Sequence, residues 1–403
     1  MNNFGVLYRY EIKKLIRRKI VWVAGAIILA LALLSITADV TGKYYVDGEV
    51  YDTHYHLMVT DREYNRKISG REINQELMEE MQAAYRKVPT DALRYSLTDE
   101  YQTYARPYSQ IYQIVRKVMG FSDLEDICAW EVDEAAFYNA FSENNEAAYI
   151  SGFLTEGEKA YWRKKEEALK KPFVFGYAEG YWKLISSAQT ISVMLLLFCA
   201  ICLSDIFTRE HTLRTDQLLL SSRFGKRQVY LAKAAAGMSF VLISTFVMAI
   251  IVVFTSLGIY GMDGFSVMIQ IAVAGYPLQL KAGIVVIMMY ALMILSALLT
   301  AAFVIMLSEL FCSSTATLAA VSGIILIPLF VRAPSQLRIL AQIWGYLPGR
   351  LLNTDTIMGV RLLPFFGSYL TMWQATPLIY ILLGALFLYF GMCAYQKYQV
   401  SGR

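Results

Sequence analysis

Six apolar runs punctuate this chain, at about residues 20–37, 183–205, 234–258, 283–307, 315–332 and 376–395. A helix needs roughly 20 such residues to cross the hydrocarbon of a bilayer, so each run predicts a transmembrane span. The polar sequence between them is very unequally shared: residues 39–181 separate the first two runs. The expected fold is therefore mainly α. It is a polytopic membrane protein with six transmembrane helices, an N-terminal amphipathic surface helix and a mainly helical extracellular domain inserted between spans 1 and 2. Its parts are 1–19, span 1 at 20–37, the inserted domain at 39–181, and spans 2–6 within 183–403.

Ahead of span 1, Phe4, Leu7, Tyr8, Ile12 and Leu15 recur at helical spacing, opposite Arg9, Lys13, Lys14 and Arg17. A helix so patterned lies along a membrane surface, its apolar side buried and its basic side among anionic headgroups. The plainer alternative is a positive flank to span 1. Span 1 is longer than the apolar core of a cleaved signal, and Ile36-Thr37-Ala38 is a poor cleavage site, so an uncleaved anchor is expected.

Within 39–181, Asp47-Gly48 between Tyr44-Tyr45-Val46 and Val50-Tyr51 predicts a hairpin. Ile73, Leu77, Met81 and Tyr85 then repeat every fourth residue. Tyr101, Tyr104, Tyr108, Ile111, Tyr112 and Val115 follow, with Pro107 as a break. Further helices are expected over 129–147 and 155–170. Residues 333–372, cut by Pro334, Pro348 and Pro364, hold apolar pieces too short to cross, and predict broken helices dipping into the outer leaflet. Residues 261–281 invite the same reading.

Composition fits a membrane protein, with 56% hydrophobic and 17% charged residues. Charge is segregated: 26 acidic against 17 basic side chains lie between Asp39 and Glu179, a net of −9, in a chain whose net is +4. A solvated acidic surface explains this more simply than attraction of cationic molecules. By the positive-inside rule the basic N-terminal tail, the basic residues of 205–233, and Lys397 with Arg403 belong on the cytoplasmic side. An even number of spans puts all three there. Localisation is thus a multi-pass cell-membrane protein with both termini cytoplasmic and 39–181 extracellular. Of five cysteines only Cys128 falls outside the spans and their edges, so no disulfide framework is expected.

No catalytic apparatus emerges. There is no Gly-rich phosphate loop and no His-Glu-x-x-His pattern. His54 and His56 would share one face of a strand, too few for a structural zinc site. Cys199 and Cys202 sit within a span, away from the exposed βα context that redox chemistry needs. Ser313, Ser314 and Thr315 are candidate caps for span 5 and Pro328 a candidate kink within it, while Glu309 reads by default as a solvated loop acid and otherwise as a cytoplasmic-side partner for a basic residue.

Residues 205–233 remain. Thr215 or Asp216 can cap a short helix containing Leu218, Leu219 and Leu220, ended by Ser221-Ser222. Three leucines on a short polar-flanked helix need a cover, either the ends of spans 2 and 3 or a partner. The succession Glu210, Thr215, Leu218-Leu219-Leu220, Ser222-Arg223 and Lys233 resembles the signature of type-2 ABC exporter permeases. Arg214 stands where that family usually has Gly, which puts the local turn in question. The six-span order, the basic helix before span 1 and the broken segment before span 6 are also similar. The large insert resembles a Gram-positive subgroup linked to peptide-antibiotic export or self-protection.

That resemblance implies a coupling helix fitting a cleft of an ATPase subunit, with Glu210, Thr215, Asp216, Leu218, Leu219, Leu220, Ser222 and Arg223 at the interface. It implies no cofactor in this chain, with ATP and Mg in the partner ATPase subunit. It further implies ABC ATPase subunits, a second permease copy or related permease, and membrane lipid as partners, and no nucleic acid. The substrate class would be a hydrophobic molecule or peptide: an antimicrobial peptide, a drug or a lipid. The rival is a non-transporting sensor or scaffold whose outer domain binds a ligand and whose loop recruits a signalling partner.

Overall fold

The computed structural model describes residues 3–46, 48–89, 95–213, 227–271 and 276–397. Five of its helices are long and apolar enough to cross a membrane. They are α2 (Lys19–Thr37), α9 (Glu179–Leu203), α11 (Arg227–Tyr260), α12 (Ala282–Phe311) and α17 (Met372–Lys397). The fifth apolar run forms α13 (Ser314–Phe330), a shorter helix of 17 residues. Ser313 starts it by accepting a hydrogen bond from the Ala316 N–H, and Val331 ends it in extended conformation.

Helices α9 and α12 form the centre of the bundle, with α2, α11, α13 and α17 around them. The outer helices leave apolar rows uncovered, such as Val23, Ile27, Leu31 and Leu34 on α2 and Leu378, Ile381 and Leu382 on α17. Apolar area on that scale is stable only against hydrocarbon. Hydroxyls tie the helices to one another's carbonyls. Ser256 on α11 donates to Gly180 on α9 (3.0 Å), and Tyr260 donates to Ile36 on α2 (2.9 Å).

Helix α1 (Asn3–Ile16) packs against α11. Leu15 is buried, and Tyr8 and Ile12, expected to face lipid, pack on the main core. Helix α11 begins seven residues before the expected edge of its apolar run, and this brings Lys233 inside the helix. Helix α12 likewise runs on to Phe311. Glu309, expected in solvent, is therefore a helical residue and is buried.

The insert has its own core. Strands β1 (Lys43–Val46) and β2 (Glu49–Thr53) pair antiparallel, with Val46 opposite Glu49; Asp47 of the expected turn lies outside the described residues. Thr53 then caps α3 (His54–Ile68), so His54 and His56 open a helix and do not share a strand face. Helix α4 (Gln75–Tyr85) buries Leu77, Met81 and Tyr85, the expected stripe, and Tyr85 stacks on Tyr112 of α5 (Ser109–Met119) at 4.2 Å between ring centres. A π-turn and a 3-10 turn containing Pro107 precede α5. Helix α6 (Leu124–Ala129) comes next. Two further helices are α7 (Glu134–Ser151) and α8 (Glu156–Glu167), placed by Asp133 and Thr155 as caps.

After α9 comes a short α10 (Thr208–Leu213). Residues 333–372 form α14 (Arg338–Gly345), α15 (Pro348–Leu351), α16 (Thr354–Ile357) and a hairpin of β3 (Leu363–Phe365) with β4 (Ser368–Leu370). The helical pieces follow the prolines as expected; the hairpin does not. It turns through Phe366 and Gly367, both at positive φ. Two contacts lock this segment in place. Gln189 of α9 accepts from Asn353 at 2.8 Å, and Arg350 donates to the Pro328 carbonyl of α13 at 3.1 Å.

A latch joins the same segment to the insert. Glu158 is fully buried and accepts from Arg338 (2.6 Å), from the Leu362 N–H (3.1 Å) and from Thr155 (2.8 Å). Trp162 donates to the Val360 carbonyl, and Arg361 to the Gly152 carbonyl. Burial opposes the Glu158 charge, but these donors outweigh it and hold the carboxyl below its ordinary value.

Candidate coupling junction

At the end of the bundle opposite the insert, four charged side chains from three elements meet. Glu210 on α10 receives Lys233 of α11 at 2.7 Å and Lys14 of α1 at 2.8 Å. Glu11, one turn before Lys14, lies 3.6 Å from Lys14 and 3.7 Å from Lys233. Two cations and two anions thus close a charge-balanced quartet. Its local origin is simple: Glu11 and Lys14 sit three apart and share one face of α1.

Lys233 is wholly buried. Its ammonium also donates to the Ile206 carbonyl at 2.9 Å and lies 5.1 Å from the Phe207 ring centre. Phe207 stacks on Tyr230, and both meet Tyr395 of α17. An ammonium removed from water needs such a full set of partners, since the desolvation of one ion costs several kcal/mol. Burial also works against the charge on Lys14, but Glu210 and Glu11 outweigh it and raise its pKa above the ordinary lysine value. A second pair lies beside the quartet. Arg18, between α1 and α2, reaches Asp205 and the Cys202 carbonyl, each at 2.7 Å.

Of the residues singled out in the sequence, Glu210, Lys14 and the neighbouring Lys233 are brought together. Arg9 and Lys13 are exposed on the other side of α1, and Arg17 is exposed in the turn just after it. Lys14, drawn by pattern onto that basic side, turns inward. Thr215, Asp216, Leu218, Leu219, Leu220, Ser222 and Arg223 lie outside the described residues. Cys199 and Cys202 are buried within α9. Sequence reasoning passed over Glu11, and it took Lys233 only as the last position of a motif. The available signal was a lysine flanked by Leu231, Ala232 and Ala234 in an apolar helix, where an ionisable side chain requires a partner.

Towards the other end, an apolar cavity of about 1030 Å³ opens between α12, α13, α14 and α17, walled by residues including Phe303, Ile325, Ile343 and Phe387. The bundle thus joins a buried polar node at one end to an apolar chamber at the other. The sequence profile of the ABC-2 family transporter proteins matches residues 6–395, from α1 almost to the end of α17. The chain belongs to the ABC-2 transporter family. It is accordingly the membrane-embedded permease component of an ABC transporter, a class that works with ABC ATPase subunits and is not itself the ATPase. No curated protein matches the sequence closely enough to narrow this ABC-2 assignment to a substrate.

Proposed function

We propose that this chain forms the translocation pathway of an ATP-driven exporter and takes its drive from a separate ATPase subunit docked on residues 205–233. The observation that carries the reading is the quartet. Glu210 stands at the entry of that segment and is bonded to α1 and α11 together, so displacement of the segment reaches both helices. Glu210 acts as the anchor of the coupling element, and Thr215, Asp216, Leu218, Leu219, Leu220, Ser222 and Arg223 supply the contacts. ATP and Mg are bound by the partner. A second permease, identical or related, completes the route.

The junction faces the cytoplasm in this reading, with residues 39–181 outside the cell. The apolar chamber suits a hydrophobic or peptide substrate such as an antimicrobial peptide, a drug or a lipid. A two-state packing change, and no reactive residue, is what the task requires of this chain.

The test is a gentle-detergent pull-down of the tagged chain from its native membrane. A stoichiometric P-loop ATPase is expected with the wild type. It should be lost from the variant with Leu218, Leu219 and Leu220 all replaced by Asp, with membrane insertion retained. Recovery of an intact chain with a signalling protein and no ATPase would defeat the proposal.

A further inference from the structure

Between α1, the start of α2 and α10 lies a recess of about 520 Å³, bordered by Tyr10, Lys13, Arg17, Lys19, Ile20 and Arg209. Three other charged side chains on its wall are already committed. Arg18 is bound to Asp205, and Lys14 to Glu210. Lys13, Arg17, Lys19 and Arg209 are exposed and have no acidic partner among the described residues. The recess therefore carries four uncompensated positive charges converging from three elements. Helix α2 starts at its edge with no side-chain cap, so its free N–H groups add to the positive potential.

The apolar surroundings indicate what kind of anion belongs there. Ile20 borders the recess and heads the uncovered row Val23, Ile27, Leu31 and Leu34 along α2. Trp22, also exposed, is tied by its indole N–H to the Ile16 carbonyl at 2.8 Å. A headgroup in the recess would have its acyl chains running along that row, with a tryptophan at the level where interfacial aromatics sit. A free phosphate would use the cations but gain nothing from Ile20 and the apolar row behind it.

We infer that this recess is a binding site for one anionic phospholipid, and that its occupant bears on the coupling segment. Arg209 immediately precedes Glu210, and Lys14 lies on the recess wall while holding Glu210, so a headgroup on Arg209 touches the same node that anchors residues 205–233. The inference rests on the proposed cytoplasmic placement of the junction. It does not depend on which substrate is carried.

Native mass spectrometry of the full chain in detergent, titrated with phosphatidylglycerol or phosphatidylcholine, tests it. One phosphatidylglycerol should bind at least tenfold more tightly than phosphatidylcholine. Each basic side chain near an anionic surface is worth roughly fivefold in affinity. The combined K13Q, R17Q and K19Q variant should therefore lose about a hundredfold, and Arg209→Gln alone about fivefold. Replacing the distant Lys164 and Lys165 with Gln should change nothing. Equal binding of the two lipids, full retention in the triple variant, or displacement of the lipid by millimolar inorganic phosphate would each overturn the assignment. ATPase co-purification, read on the same samples, separates failure of this site from failure of the coupling proposal.

Discussion

Lys233 and Glu210 are 23 positions apart in sequence and 2.7 Å apart in space, and the lysine has no contact with solvent. The carboxylate is what permits a charge at that depth. Removing one partner is therefore a different perturbation from removing both.

Glu210→Ala should destabilise the chain by about 3–5 kcal/mol, because it leaves a buried ammonium with only the longer pairing to Glu11, at 3.7 Å, as its remaining anion. Glu210→Leu combined with Lys233→Met removes both charges and should recover most of the loss. Thermal unfolding of the detergent-solubilised variants measures this. A double variant no more stable than Glu210→Ala would mean that packing, and not charge balance, holds the junction.

Acid should release the insert from the 333–372 segment. The Glu158 carboxyl is held below its ordinary value of 4.5, so its contribution is complete above that value and is lost as pH falls through the lowered one. Protection of the Leu362 amide from hydrogen exchange, taken relative to the intrinsic rate at each pH, should be high near neutrality and fall below about pH 4.5, the ordinary carboxyl value. Glu158→Gln should exchange fast throughout and cost about 2 kcal/mol at neutral pH. A flat profile in the wild type would remove the latch from this account.

A methyl group on Gly349 would overlap the Ile325 carbonyl oxygen, which is backbone of α13. Gly349→Ala should therefore push α15 off α13 and lower stability by about 1–3 kcal/mol. Gly258→Ala, where nothing stands within 4 Å, should be neutral or mildly stabilising. Similar melting temperatures for the two variants would mean that the close approach is not held in solution.

Much of the architecture was legible because burial follows period. The stripe Ile73, Leu77, Met81 and Tyr85 is buried at every position, and the break at Pro107 and the cap at Ser313 act locally, within a few residues. What was not legible depends on partners distant in sequence. A helical pattern cannot tell that Lys14 faces Glu210, 196 residues on, while Lys13 faces outward. It cannot tell that Glu309 stays helical and buried, because that depends on how far α12 extends beyond its apolar run. The β3–β4 hairpin escaped for a different reason: its strands are three residues each, too short for an alternation to register.

The latch also bears on how the insert can be studied. Glu158 and Arg338 lie 180 positions apart, and the Trp162, Arg361 and Glu158 bonds all cross the same seam. Excising residues 39–178 would strip Arg338 of its counter-charge and leave the Leu362 amide and Val360 carbonyl without their acceptor and donor. A deletion that abolished transport would then report damage to the membrane half. Only point changes on the outward surface of the insert, leaving that seam whole, can reveal what the insert itself recognises.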